Sequence, residues 1–269
     1  MTSQTHVVTG ATDGIGLQTA KLLAQRGAHV LVHGRAEEKA RKAVEVLSDK
    51  LPDARFTPVW GDLGRLAEVR TLAEQVRHHA PVLDGLVNNA GVFMKAWSET
   101  VDGFETTFQV NHLSHFLLTS LLLPELKAAP QGRVVNVSSM AHARGRVDLG
   151  DLDSKKRFDG YDVYALSKLL NVHFTHELAR RLEGTRVTTY ALHPGVITTK
   201  LLRTGFGMGG ASVETGALTS VYCATEAELV SKTGRYFSDS REAREAPQAS
   251  NPALERALWD ESARRAGLS

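Results

Sequence analysis

Along almost the whole chain, short runs rich in Val, Ile and Leu alternate with segments of helical period, and this alternation restricts the fold more than any other feature. Strands are expected over residues 5–9, 28–33, 55–60, 83–88, 132–137 and 186–192, with a short one over 235–237. Helices are expected over 15–26, 37–50, 66–79, 104–126, 163–182 and 213–227, and a charged surface helix over 252–267. Strands apolar on both faces belong in a parallel sheet with helices on either side. Right-handed crossovers then give a doubly wound α/β arrangement. No internal repeat and no Pro-, Gly- or Ser-rich linker divides the chain, so residues 1–269 read as a single domain. Two stretches break the rhythm: a polar one at 144–160 and a glycine-rich one at 202–210. Both read as loops on a rigid frame, where function often sits. Residues 196–216 form a candidate substrate lid, which would include Phe206 and Met208, and 250–269 form a C-terminal extension.

Between the first strand and first helix stand Gly10, Thr12, Asp13, Gly14, Ile15 and Gly16, in the string TGATDGIG. A turn that passes close to a pyrophosphate excludes Cβ atoms at certain positions. The helix that follows offers free N–H groups and the positive end of its dipole to the phosphates. Strand, glycine turn and helix in this order indicate a Rossmann-type dinucleotide site. The second strand ends His33-Gly34-Arg35, without the acid that usually grips a ribose 2′-hydroxyl. Gly34 leaves room, and the Arg35 guanidinium suits a 2′-phosphate. NADP(H) is therefore the expected cofactor, with NAD(H) open if Arg35 is only a solvated charge at a helix start. His33 receives no role.

The glycine spacing is TGxxxGIG rather than GxGxxG, and three further strings follow in order: Asn88-Asn89-Ala90-Gly91, Tyr164-Ala165-Leu166-Ser167-Lys168, and Pro194-Gly195 with Thr198. With Asp62 after the third strand, they make the chain resemble the short-chain dehydrogenase/reductase family from residue 9 to residue 198. The resemblance implies that Asp62 and Leu63 border an adenine and that Asn89, Ala90 and Gly91 line the adenosine, while Asn88 braces the sheet. It implies that Pro194 and Gly195 belong to the cofactor site, and that Val196 and Thr198 hold the nicotinamide carboxamide or a nearby phosphate.

Tyr164 and Lys168 stand four apart on an expected helix, hence on one face. A free phenol has a pKa of about 10, and an ammonium a few ångströms away at an effective dielectric of about 20 is worth about 3–4 kcal/mol, enough to lower it by roughly two units. The pair is thus expected to exchange protons near neutrality. Ser139 closes the fifth strand at the ligand edge of the sheet, where its hydroxyl can hold a substrate carbonyl; the family pattern favours it over Ser138. No G-x-S-x-G elbow marks it as a nucleophile. By the same resemblance, Lys168 also holds the nicotinamide ribose, and Asn111, a mediocre helix residue in mid-helix, holds a water that passes protons to Lys168. The implied reaction is hydride transfer between nicotinamide and a carbonyl carbon, with Tyr164 giving or taking the proton.

The interval from Ser139 to Tyr164 is long for the family and, with the string FQVNHLSHFLLT, is similar to the retinol-dehydrogenase-like branch. That branch acts on hydrophobic alcohols and carbonyls, and the long piece either touches substrate or elaborates the surface. A small-molecule carbonyl or alcohol is thus the expected substrate. Net charge is +2 and 23% of residues are charged, which leaves no basic footprint for nucleic acid. The longest apolar run, 116–124, is too short to cross a bilayer, and no leader or anchor is visible, so no membrane partner and a cytoplasmic address are expected. Cys223 is the lone cysteine, in an apolar stretch that suits a buried thiol. His112 and His115 are spaced by three but lack an acid or thiol to complete a metal set, so packing or surface histidines are expected and no metal. Apolar stripes on the helices at 104–126 and 163–182 suggest a homodimer or homotetramer. The competing function is an NADP(H)-binding sensor or scaffold without turnover. A nucleotide-sugar epimerase is disfavoured by chain size and glycine spacing.

Overall fold

The computed structural model describes residues 4–199, 201, 203 and 209–268. Its eight strands form one sheet in the order β3-β2-β1-β4-β5-β6-β7-β8. They are β1 Thr5–Val8, β2 His29–Gly34, β3 Phe56–Trp60, β4 Gly85–Asn88, β5 Gly132–Val137, β6 Val187–His193, β7 Arg235–Ser238 and β8 Arg241–Glu242. All pairings are parallel except the last, an antiparallel β7–β8 hairpin edge that the sequence pattern does not announce. Consecutive residues divide between the two faces. Val7, Leu31, Leu86 and Val134 belong to one core, while Val8, Val30, Val32, Val87 and Val135 belong to the other. This is why the strands are apolar without alternation.

Helices α1 Gly14–Gln25 and α2 Glu37–Lys50 cover one face, together with α6 Val213–Thr225. The opposite face carries α3 Leu66–His79, α4 over 106–128 and α5 Gly160–Arg181. α4 is not uniform: Gln109–Leu113 is a π turn between the α segments Thr106–Phe108 and Ser114–Ala128, and Ser114 N–H donates to the Gln109 carbonyl. α5 begins three residues before the expected start, where the Asp159 carboxylate accepts from the amides of Tyr161 and Asp162.

The polar stretch at 144–160 is tied into the molecule. Leu152 is fully buried in the main core, and the Asp153 carboxylate accepts from Glu105 N–H and pairs with Arg265 at 2.6 Å. Arg265 belongs to α7, Pro252–Arg265, which was expected to be a surface helix. It is instead docked: Leu258 is buried, and Trp259 lies against Phe116 at 4.8 Å and Phe174 at 5.9 Å. Glu255, also buried, accepts from Arg180 and faces His173 and His176. The apolar stripes of α4 and α5 are thus covered by the chain's own α7, which accounts for them without a second subunit. Trp259→Ala should cost about 2–3 kcal/mol from lost packing. A fall in the denaturant midpoint, with association in light scattering as Phe116 and Phe174 are uncovered, checks this.

Candidate active site

The strand order reverses direction between β1 and β4, and the crevice beyond their C-terminal ends is where a doubly wound sheet binds ligands. The glycine turn lies on one lip. Gly10 has φ +61°, and a Cβ there would stand 2.9 Å from Ala90 Cα; at Gly16 it would stand 2.3 Å from the Gly10 carbonyl oxygen and 2.5 Å from Asn89 Nδ2. These two glycines are therefore required by the chain's own packing, where passage of a pyrophosphate was expected to be the reason. Gly14, with φ +55° and only Thr199 Cγ2 within 4 Å, is the one facing open space. Asp13, which is exposed, precedes α1 without a side-chain cap, and no acid occupies the first turn. The helix N-terminus therefore keeps free donors for an anion.

Gly34 also proves to be a packing glycine: a Cβ would meet Thr12 Cγ2 at 2.8 Å and Ala40 N at 2.9 Å, so the room it was expected to leave is filled from within. Arg35, next along, is exposed. His33 has a role that the sequence did not suggest. It is 2% exposed, its Nδ1 accepts from Gly10 N–H at 3.0 Å, and its Nε2–H donates to the Gly61 carbonyl at 2.9 Å. Burial lowers its pKa to about 4, so it remains the neutral ring this pattern needs, linking the ends of β1, β2 and β3.

Asn88 spans the sheet, donating to Thr119 Oγ1 and Asn136 Oδ1. Asn89 Nδ2 donates to the Thr9 and Gly10 carbonyls, which makes it a brace of the glycine turn. Asp62 is half-buried and its Oδ1 accepts from Gly64 N–H, whereas the Leu63 side chain lies in the core. On the far lip, Pro194 and Gly195 (φ +93°) lead to Val196, which is 39% exposed. Thr198 Oγ1 donates to the Gly210 carbonyl at 2.7 Å and accepts from Gly210 N–H at 2.6 Å, so its hydroxyl ties residue 198 to residue 210. Phe206 and Met208 lie outside the described residues.

The four residues expected to act on substrate converge on the same edge. The Ser139 hydroxyl hydrogen-bonds that of Tyr164 and accepts from Ala141 N–H. Ser138 is buried, and its hydroxyl donates to the Lys168 carbonyl, which leaves Ser139 as the serine turned to the crevice. Lys168 Nζ lies 5.5 Å from the Tyr164 ring centre and donates to the Val137 carbonyl at 3.0 Å. The Asn111 side chain is engaged on three sides: Oδ1 accepts from Val92 N–H, and Nδ2 donates to the Val92 carbonyl and to Ser167 Oγ, whose own hydroxyl donates to the Tyr164 carbonyl. A Cβ on Gly91 would stand 3.5 Å from both Asn111 Oδ1 and Lys168 Nζ, so this glycine brings the cofactor lip to the polar cluster.

The expected lowering of the phenol pKa is reversed. Burial comes first and pushes Tyr164 up to about 12, against a smaller opposing effect of the Ser139 hydrogen bond. Burial also lowers Lys168 to about 8. Phenolate and ammonium are both penalised by the dry surroundings, and at 5.5 Å from the ring the ammonium does not offset that penalty. Near neutral pH, Tyr164 is therefore a protonated donor and Lys168 is poised close to its titration. One wall beside them is apolar: Phe93 meets Tyr164 at 5.9 Å, and Ala141, Tyr161 and Leu201 pack there too.

A doubly wound sheet with a phosphate-ready helix end, and a Ser–Tyr–Lys–Asn cluster at the same edge, define a dinucleotide-dependent oxidoreductase. The short chain dehydrogenase family model matches residues 4–206, and the chain belongs to that family. Within it the protein falls in the retinol-dehydrogenase-like branch. It is 42% identical to human (Homo sapiens) retinol dehydrogenase 12 over 97% of this chain and 86% of that one. A solved structure from Mycobacterium paratuberculosis superposes with a TM-score of 0.83 at 33% identity, covering 98% of this chain and 93% of that one. A short chain dehydrogenase from Escherichia coli CFT073, solved with NADPH, gives 0.74 at 25% identity, covering 88% and 96%. Membership makes this protein a carbonyl/alcohol oxidoreductase using NAD(P)(H). Among the described residues, no helix is long and apolar enough to cross a membrane.

Proposed function

We propose that this protein interconverts an apolar alcohol and its aldehyde or ketone with NADP(H) in preference to NAD(H). The observation that carries the reading is the buried Tyr164 hydroxyl, hydrogen-bonded to Ser139 beside Lys168 at the open edge of the sheet. A bound nicotinamide supplies or accepts the hydride. In the reductive direction Ser139 and Tyr164 hydrogen-bond the substrate oxygen, and Tyr164, protonated, passes its proton to it. Lys168 then restores that proton, while Asn111 holds the Val92 segment and, through Ser167, the first turns of α5. In oxidation the proton returns to Tyr164. The apolar wall of Phe93, Ala141, Tyr161 and Leu201 supports a hydrophobic substrate, and the names of the relatives make retinol the first alcohol to test. A cytoplasmic address is part of the same proposal, supported by a single, fully buried and unpaired thiol at Cys223.

Purified protein should oxidise retinol with NADP⁺, or reduce members of a panel of apolar aldehydes and ketones with NADPH. Tight NADPH binding with no turnover across that panel would establish the sensor reading instead. The NADP(H) preference rests on exposed Arg35 and on the lack of an acid at the end of β2. Arg35→Asp removes a charge-assisted contact and adds repulsion, together worth about 3 kcal/mol. The ratio of kcat/KM for NADPH to that for NADH should therefore fall by about a hundredfold; an unchanged ratio removes the basis for the preference.

A further inference from the structure

His115 stands one helical turn beyond Asn111, at 1% exposure, and touches both halves of the site from inside the molecule. Its Nδ1 lies 3.2 Å from the Asn111 carbonyl oxygen, and its Nε2 lies 2.9 Å from Thr9 Oγ1. A carbonyl only accepts, so Nδ1 carries the proton. Burial lowers the ring pKa to about 3, so the ring is neutral and Nε2 is a bare acceptor. The Thr9 hydroxyl has one hydrogen, and Nε2 takes it, the Val87 carbonyl being farther away at 3.3 Å. The oxygen of Thr9 is then free to accept from the amides of Asn89 at 2.9 Å and Ala90 at 3.0 Å. The proton inventory closes with each group in one state only: Asn89 and Ala90 donate to Thr9, Thr9 to His115, and His115 to Asn111.

Both ends of this chain need a fixed point. Asn111 sits in a π turn, where the regular ladder of α-helical bonds is interrupted. Its side chain already holds Val92 and, through Ser167, the turn that carries Tyr164. The Ala90 backbone presses against Gly10 and the Asn89 side-chain amide against Gly16, so this segment sets the height of the glycine turn.

We propose that His115 is a positioning residue that locks the Asn111 carbonyl and the Asn89–Ala90 turn into one frame, keeping the cofactor seat in register with the proton-donating end of the site. The inference rests on the oxidoreductase reading above. If wild type fails to bind NADPH or to turn over any substrate, that reading has failed before any variant is made.

Two conservative replacements separate the halves of the joint. The amide of Asn reaches the place of Nδ1, so His115→Asn keeps a donor for Asn111 and abandons Thr9. The amide of Gln reaches the place of Nε2, so His115→Gln keeps an acceptor for Thr9 and abandons Asn111. Leaving a buried polar group unmatched costs about 1–3 kcal/mol, which is about five- to 150-fold in an equilibrium. His115→Asn should raise the NADPH Kd, read by cofactor fluorescence, about tenfold while kcat at saturating NADPH stays within twofold. His115→Gln should lower kcat about tenfold with Kd within twofold.

Thr9→Val removes the bond to His115 and also the acceptor of the Asn89 and Ala90 amides, so it should weaken NADPH binding at least as much as His115→Asn. Combining the two should add little to Thr9→Val alone, since the Thr9–His115 bond is already gone. This pair keeps the proposal open to test in the cofactor-binding assay even if His115→Gln does not fold. Equal losses in Kd and kcat for the Asn and Gln variants, additive effects of Thr9→Val and His115→Asn, or wild-type values in both folded variants would each overturn the proposal.

Discussion

Tyr164→Phe should reduce turnover by about a thousandfold or more while NADPH binding stays within twofold. Removing a general acid commonly costs about 10² to 10⁴ in rate. Here the loss belongs near the upper end, because Tyr164 is the protonated group at the crevice, held up at about 12 by burial. The fold should tolerate the change. The ring keeps its contacts with Phe93, Ala141 and Ala165, and the Ser139 hydroxyl retains Ala141 N–H as a partner. One hydrogen bond is lost, worth about 1 kcal/mol, partly offset because a buried hydroxyl no longer has to be desolvated. Single-turnover kinetics with NADPH and a reactive apolar aldehyde, beside a fluorescence titration, checks both halves. A variant that retains a tenth of wild-type kcat would show that the proton comes from elsewhere.

Lys168→Met should separate activity from stability. The ammonium is 3% exposed, no acid among the described residues forms an ion pair with it, and burial alone lowers its pKa from 10.5 to about 8. That depression corresponds to roughly 3 kcal/mol by which the fold disfavours the charged form. Because the folded pKa is the lower one, the unfolded chain binds more protons between pH 8 and 10.5, so this residue makes wild-type stability rise with pH across that window. Below pH 8 the penalty is fully present. Methionine fills a similar volume without charge, and the Val137 carbonyl that Lys168 leaves still accepts from Asn171 Nδ2 at 3.3 Å. The variant should therefore be about 1–3 kcal/mol more stable at pH 7, with a Tm several degrees higher. The advantage should vanish as the pH approaches 10.5. Turnover should fall by about a hundredfold or more. In the wild type, the reductive rate should decline above about pH 8 as Lys168 loses its proton. Calorimetry of both proteins at pH 7 and pH 10 reads the first effect; a lower Tm for the variant at pH 7 would show that the ammonium is stabilised by something not captured in its burial.

These outcomes would also explain why the site retains a residue that destabilises it. A neutral replacement packs better, but only an amine poised near its titration can take up and return a proton beside the phenol.

The sheet, its helices and the order of the motifs were legible because each rests on local pattern. A strand apolar on both faces, a glycine turn ahead of a helix, and Tyr164 and Lys168 one turn apart are properties of neighbouring residues, and neighbours stay together in any fold that the chain adopts. The bracing role of Asn88 and the choice of Ser139 over Ser138 rested on the family resemblance of those strings. His115 left one local signal, its place four residues after Asn111, from which a ring nitrogen can reach back to the i−4 carbonyl. His33 left only its place at the end of a buried strand.

What the amino-acid order determined by itself was therefore the doubly wound layout and the set of side chains brought to its open edge. Tertiary structure alone decided what those side chains are attached to and how they titrate. Thr9 meets His115 across 106 positions of chain, Arg265 meets Asp153 across 112, and the docking of α7 turns an apolar stripe into core. The direction of the Tyr164 shift was settled in the same way. The attraction of a nearby ammonium depends on a spacing readable from a helix, but the penalty for charging a dry phenol depends on everything packed around it, and here that penalty is the larger of the two.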